Sequence, residues 1–117
     1  MSAYGIETAG RVLLFEVTGS LDQDGFATAF DEVIERIGSR DVDAVVSEVT
    51  TDESYSVGIF REWEEAGQRA ATHGVDRWAV VAPGIKSLSL KSQLRESSLT
   101  VTDADDREAA LSWARDS

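Results

Sequence analysis

The run Asp43-Ala44-Val45-Val46-Ser47-Glu48-Val49, followed by Thr50-Thr51-Asp52-Glu53-Ser54-Tyr55-Ser56 and then by Val57 to Trp63, decides the fold. Dense valine in the first segment predicts a strand covered on both faces and therefore central in its sheet. The second segment interrupts it with hydroxyls and acids. In the third, Ile59, Phe60 and Trp63 begin a helical apolar stripe that continues through Ala66, Gly67 and Ala70, with Ser56 at the N-cap position. His73-Gly74 closes this helix, so the single histidine reads as a residue held against a helix C-terminus.

On the N-terminal side, Tyr4 to Thr8 alternates and leads through Ala9-Gly10 into the β-branched and aromatic segment Arg11 to Gly19, which predicts a hairpin. From Asp22 or Asp24 the period changes: Phe26, Phe30, Val33, Ile34 and Ile37 recur at helical spacing until Gly38. On the C-terminal side, Arg77 to Ala82 predicts a strand stopped by Pro83-Gly84. Ile85 to Arg95 predicts a serine-rich helix with Leu88 and Leu94 as its apolar positions, and Leu99 to Thr102 a short strand. Asp105 or Asp106 opens a last helix carrying Ala109, Ala110, Trp113 and Ala114.

The order β-β-α-β-α-β-α-β-α predicts an α/β fold in one domain over residues 1–117. Strands separated by helices need crossovers, so the expectation is a five-stranded mixed, mostly parallel sheet with about four helices and the first strand antiparallel at one side.

Acids outnumber bases 22 to 11, for a net charge of −11, and Lys86 and Lys91 stand beside nine arginines. Such a charge repels nucleic-acid backbones and anionic lipid surfaces. Acids dispersed along a chain so poor in lysine predict adaptation to high salt, where screening shortens to about 3 Å. The absence of cysteine removes disulfides, thiol nucleophiles and cysteine-based zinc sites. The apolar runs Val12 to Phe15 and Trp78 to Ala82 are too short to insert across a membrane. Met1 to Glu7 lacks the basic start and apolar core of a secretory signal, so a cytoplasmic location is expected.

Motifs of reaction chemistry are missing. There is no Gly-x-Ser-x-Gly elbow, no phosphate-cradling glycine loop and no dinucleotide pattern. Acid groups such as Glu62 with Glu65, or Asp103 with Asp105 and Asp106, are what so acidic a chain produces on solvated faces. The expectation is a chain that is not an enzyme, with no catalytic residue, no metal and no cofactor. One window runs against the charge background: no acid lies between Trp78 and Arg95, a stretch that holds both lysines. Lys86, Lys91 and Arg95, with Asp52, Tyr55, Ile59 and Phe60 of the loop and helix start, are the candidate surface for binding another protein. A homodimer through a helix face or edge strand is open.

Several strings resemble the STAS domain (sulfate transporter and anti-sigma antagonist), in its SpoIIAA-like branch. They are the strand Val12-Leu13-Leu14-Phe15-Glu16-Val17-Thr18-Gly19, the helix with Phe60 and Trp63, Asp76-Arg77-Trp78-Ala79-Val80-Val81, and Glu108-Ala109-Ala110-Leu111-Ser112-Trp113. The resemblance implies an anti-sigma-antagonist type of module, in which a serine at the start of the helix after the third strand is phosphorylated. The family string there is Asp-Ser-Ser-Gly or close to it, whereas this chain has Asp52-Glu53-Ser54-Tyr55-Ser56-Val57-Gly58. Ser54 and Ser56 are the implied phosphoacceptors, beside their plainer readings as turn residue and N-cap. The SpoIIAA-like branch often lacks the switch, and its likeness to lipid-transfer domains implies the alternative of a small apolar ligand or lipid in a pocket lined by Trp63, Leu88 and Leu94.

Overall fold

The apolar segments pair in the order in which they occur. In a computed structural model that describes residues 3–39, 41–51 and 54–115, the elements are β1 (Tyr4–Ala9), β2 (Val12–Val17), α1 (Gln23–Ser39), β3 (Ala44–Val49), α2 (Val57–Thr72), β4 (Arg77–Val81), α3 (Lys86–Leu94), β5 (Thr100–Asp103) and α4 (Arg107–Arg115). The sheet order is β1-β2-β3-β4-β5, with β1 antiparallel to β2 and every other pair parallel. The expected α/β sheet and the central place of the valine-rich strand are therefore both present. No helix among the described residues is long and apolar enough to cross a membrane.

Strand alternation gives the sheet two different faces. Leu13, Phe15, Val17, Val45, Val49, Trp78 and Val80 point to the side covered by α1, α2 and α3. Val12, Ala44, Val46, Ala79 and Val81 point to the other, under Ala110 and Ala114 of α4. Consecutive parallel strands joined by right-handed crossovers carry their connecting helices on one face. Only α4, which follows the last strand, is free to fold back over the opposite face.

Helix ends follow the local chemistry of the chain. Asp22 Oδ1 accepts the N–H of Gly25 at 2.7 Å, Ser56 Oγ that of Ile59 at 3.2 Å, and Asp106 Oδ1 that of Ala109 at 2.8 Å. His73 is the C-cap of α2, its Nδ1 lying 2.8 Å from the Arg69 carbonyl oxygen. The sequence reading of α3 needs correction: Leu90 and Leu94 are its buried residues, while Leu88 is 54% exposed.

Two polar arrangements hold the sheet. Ser47, fully buried in β3, accepts a hydrogen bond from Trp78 Nε1 at 2.9 Å. On the opposite face Glu16 and Glu48 stand in register across β2 and β3, a repulsive placement that Arg107 of α4 offsets by pairing with both. Its Nε lies 2.9 Å from Glu48 Oε1, and the paired carboxylates raise the Arg107 pKa. Replacing Ser47 by Ala leaves the Trp78 N–H without an acceptor in the core and should cost about 1–3 kcal/mol in urea denaturation. Arg107→Met should cost about 0.5–1 kcal/mol, shrinking as salt is added, because the pair is part-exposed.

Candidate functional site

The loops that follow β3 and β4 come together because those strands are neighbours. Open α/β sheets gather ligands at the carboxyl ends of their strands. Here that edge carries an open cleft of about 480 Å³ lined by Ser54, Tyr55, Phe60, Pro83, Gly84, Ile85, Lys86 and Ser89. A second depression, of about 400 Å³, continues from it along α3 and shares Phe60, Ile85 and Ser89 while adding Leu88, Ser92 and Gln93. Together they form a groove between α2 and α3.

Each wall has a local cause. Ser56 caps α2 and fixes its phase, so Ile59, Trp63, Ala66, Gly67 and Ala70 face the core and Phe60 falls at the edge of that stripe. Pro83 ends β4, and Gly84 takes φ +58, a left-handed conformation that costs glycine little. The chain thereby turns directly into α3 and leaves Ile85 78% exposed. Lys86 ties the two loops: its Nζ donates to the Thr51 carbonyl oxygen at 2.7 Å and stands 4.5 Å from the centre of the Tyr55 ring. Tyr55 in turn meets Phe26 edge-on at 5.2 Å, which anchors the loop to the aromatic core.

The candidate residues separate into three groups. Tyr55, Phe60, Lys86 and Ser54 line the cleft, and Leu88 lies at the exposed rim of its extension. Lys91 and Arg95 follow along α3; Lys91 pairs with Asp103 at 2.8 Å, a hydrogen bond that holds the Asp103 carboxyl below the usual carboxylate range. Ile59, Trp63 and Leu94 are corrections: Ile59 is 8% exposed and the other two are fully buried, because all three lie on core-facing helix stripes. The apolar pocket expected from Trp63, Leu88 and Leu94 is thus not assembled. Asp52 lies outside the described residues.

The sequence reading missed Pro83, Gly84, Ile85 and Ser89, whose signal was the start of the acid-free window beyond a strand end. Ser56 sits at the helix start with its Oγ engaged by the Ile59 N–H, whereas Ser54 is exposed at the cleft. His73 closes the opposite end of α2, a distance of about 24 Å at 1.5 Å per residue. Among the described residues no cluster of three or more His, Cys, Asp or Glu side chains is placed to hold a metal ion. The lining offers apolar surface, hydroxyls and one ammonium, a set suited to holding a surface in place.

Among solved structures, the chain is similar to a protein of the DUF3478 family with a SpoIIAA-like fold from Shewanella loihica PV-4, at 18% identity and a TM-score of 0.63, over 96% of this chain and 92% of that one. This chain has a SpoIIAA-like fold. Pseudomonas aeruginosa DspI also matches, at 11% identity and a TM-score of 0.49, over 97% of this chain and 79% of that one. No family model and no curated protein matches the chain. On the SpoIIAA-like fold, the groove occupies the end of the sheet where α2 and α3 begin.

Lys86→Met removes both the loop hydrogen bond and the ring contact. It should cost about 1–2 kcal/mol and speed amide exchange in the Tyr55 to Val57 segment, measured by hydrogen–deuterium exchange mass spectrometry, while leaving β1 and β2 unchanged.

Proposed function

We propose that this chain is a non-enzymatic interaction module that docks another polypeptide in the groove between the starts of α2 and α3. One observation carries the reading. The large hydrophobic residues that stand exposed among the described residues are Val57, Ile85 and Leu88, and two of them, Ile85 and Leu88, line this groove. Val57 is one helical turn before Phe60 and shares its side of α2. Single exposed apolar residues are ordinary, but a cluster beside a concave, mostly apolar surface marks a contact site.

Of the two serines, Ser54 is the one whose modification would act on docking. Its side lines the cleft, while the Ser56 hydroxyl is committed to capping α2. A phosphoryl group on Ser54 brings about −1.5 to −2 charges to a surface that an apolar partner must desolvate, so it disfavours docking. The resemblance to anti-sigma antagonists implies a switch at the start of α2, which the SpoIIAA-like branch often lacks; the proposal of Ser54 rests on its place at the cleft.

Affinity capture from native extract tests the reading. The wild-type chain should retain a stoichiometric polypeptide, Leu88→Glu should retain at least tenfold less, and Glu7→Lys on β1 should behave as wild type, read by intact-mass spectrometry. Equal retention by all three forms would reject the groove as the docking surface.

A further inference from the structure

Two properties of the groove bear on what fills it. The first is shape: the knob and the hole belong to the same patch. Leu88 and Ile85 protrude, 54% and 78% exposed, from the rim of a depression that they themselves line with Phe60, Ser89, Ser92 and Gln93. A two-fold contact requires a patch that can both insert and receive, with residue i meeting residue j and j meeting i.

The second is charge. Two bodies of −11 repel, and in about 0.15 M salt that repulsion acts over roughly 8 Å. The approach is least opposed where acids are missing, and no acid lies from Trp78 to Arg95. The flanks of the groove then differ in sign. On the α3 side stand Lys86, the Asp103-paired Lys91 and the exposed Arg95. On the α2 side, Glu64 follows Phe60 by one turn on the same helix side, whereas Glu62 lies on the α1 side of the helix, accepting from Gln23 Nε2 at 3.4 Å. A two-fold rotation about the groove brings each basic flank to the other copy's acidic flank.

Resting on the docking reading above, we propose that a second copy of this chain fills the groove, giving a two-fold dimer in which Leu88 of each copy enters the depression beside Phe60 of the other and Arg95 faces Glu64 across the contact. The dimer buries the apolar rim and leaves the rest of the acidic surface in water. A different polypeptide docking in the same groove must then displace the second copy, so self-association and docking compete.

Sedimentation velocity on the purified full chain, from low micromolar to several hundred micromolar, tests this. The wild type should be a dimer and Leu88→Glu a monomer. Arg95→Glu and Glu64→Arg should each raise the dimer Kd at least tenfold, and the double swap should restore it to within about threefold of wild type. These positions are exposed or part-exposed, and far-UV circular dichroism with a melting curve establishes that each variant folds. A wild type monomeric throughout, a dimer indifferent to Leu88→Glu, or a double swap without rescue would each overturn the proposal. The failures are distinguishable: a monomeric wild type rejects the dimer alone, whereas capture indifferent to Leu88→Glu rejects the docking reading.

Discussion

The packing of Trp63 is the constraint on which the rest of this structure depends. Its ring lies 5.1 Å from Phe30, 5.8 Å from Phe26, 6.2 Å from Phe15 and 6.4 Å from Trp78, which joins α2 to α1, β2 and β4 at one point. The arrangement has a cost: Trp63 Nε1 is buried with no hydrogen-bond partner among the described residues. A buried donor left unmade costs about 1–3 kcal/mol. Removing a tryptophan's roughly 200 Å² from water at about 25 cal/mol per Å² contributes about 5 kcal/mol. Burial wins, and the helix is held in one rotational phase by a residue whose only use is apolar.

That phase, combined with the sheet order, places the groove. With Trp63 inward, Ile59 one turn earlier is also inward, Phe60 emerges at the margin and Val57 stands clear of it. Because α2 and α3 connect successive parallel strands, both begin at the carboxyl edge and on the same face, and a channel between their first turns follows. Lys86 then fixes the loops that floor it. The opposite face follows other rules. There α4 buries only Ala110 and Ala114 fully, so its placement rests more on Arg107 with the two glutamates and on Arg77, which donates to the Trp113 carbonyl oxygen at 2.9 Å and lies under its ring.

The strand and helix order was legible because apolar period changes from two to near four are large signals in segments such as Leu13 to Val17 and Phe26 to Ile37. Caps were legible for the same local reason, as Ser56 and His73 show. The phase of α3 was not. Leu90 and Leu94 are one turn apart and make a buried stripe, while Leu88 lies about 200° from Leu90 around the helix at 100° per residue. Three serines, Ser87, Ser89 and Ser92, left the amphipathic pattern of that helix too weak to choose among three leucines without knowing where β4 and β5 lie. The site was legible in its parts and not in its assembly. The loop after β3 and the acid-free window after β4 both stood out, but their meeting through Lys86 and Tyr55 depends on β3 and β4 being neighbours, which composition does not state. The choice of face for α4 was likewise invisible, since only the end of the last crossover releases it.

The dispersed acidity bears on the groove as much as on solubility. An exposed rim of Ile85 and Leu88 would by itself attract any apolar surface. Around it, however, lies a body of net charge −11, and most orientations of approach by an acidic protein bring carboxylates within a screening length of one another. Those approaches are disfavoured before the apolar residues touch. Only a surface that reaches the acid-free stretch while setting a base against Glu64 or an acid against Arg95 escapes the repulsion. Under the proposed docking, burial would supply the attraction at this groove, and the charge of the remaining surface would supply the discrimination.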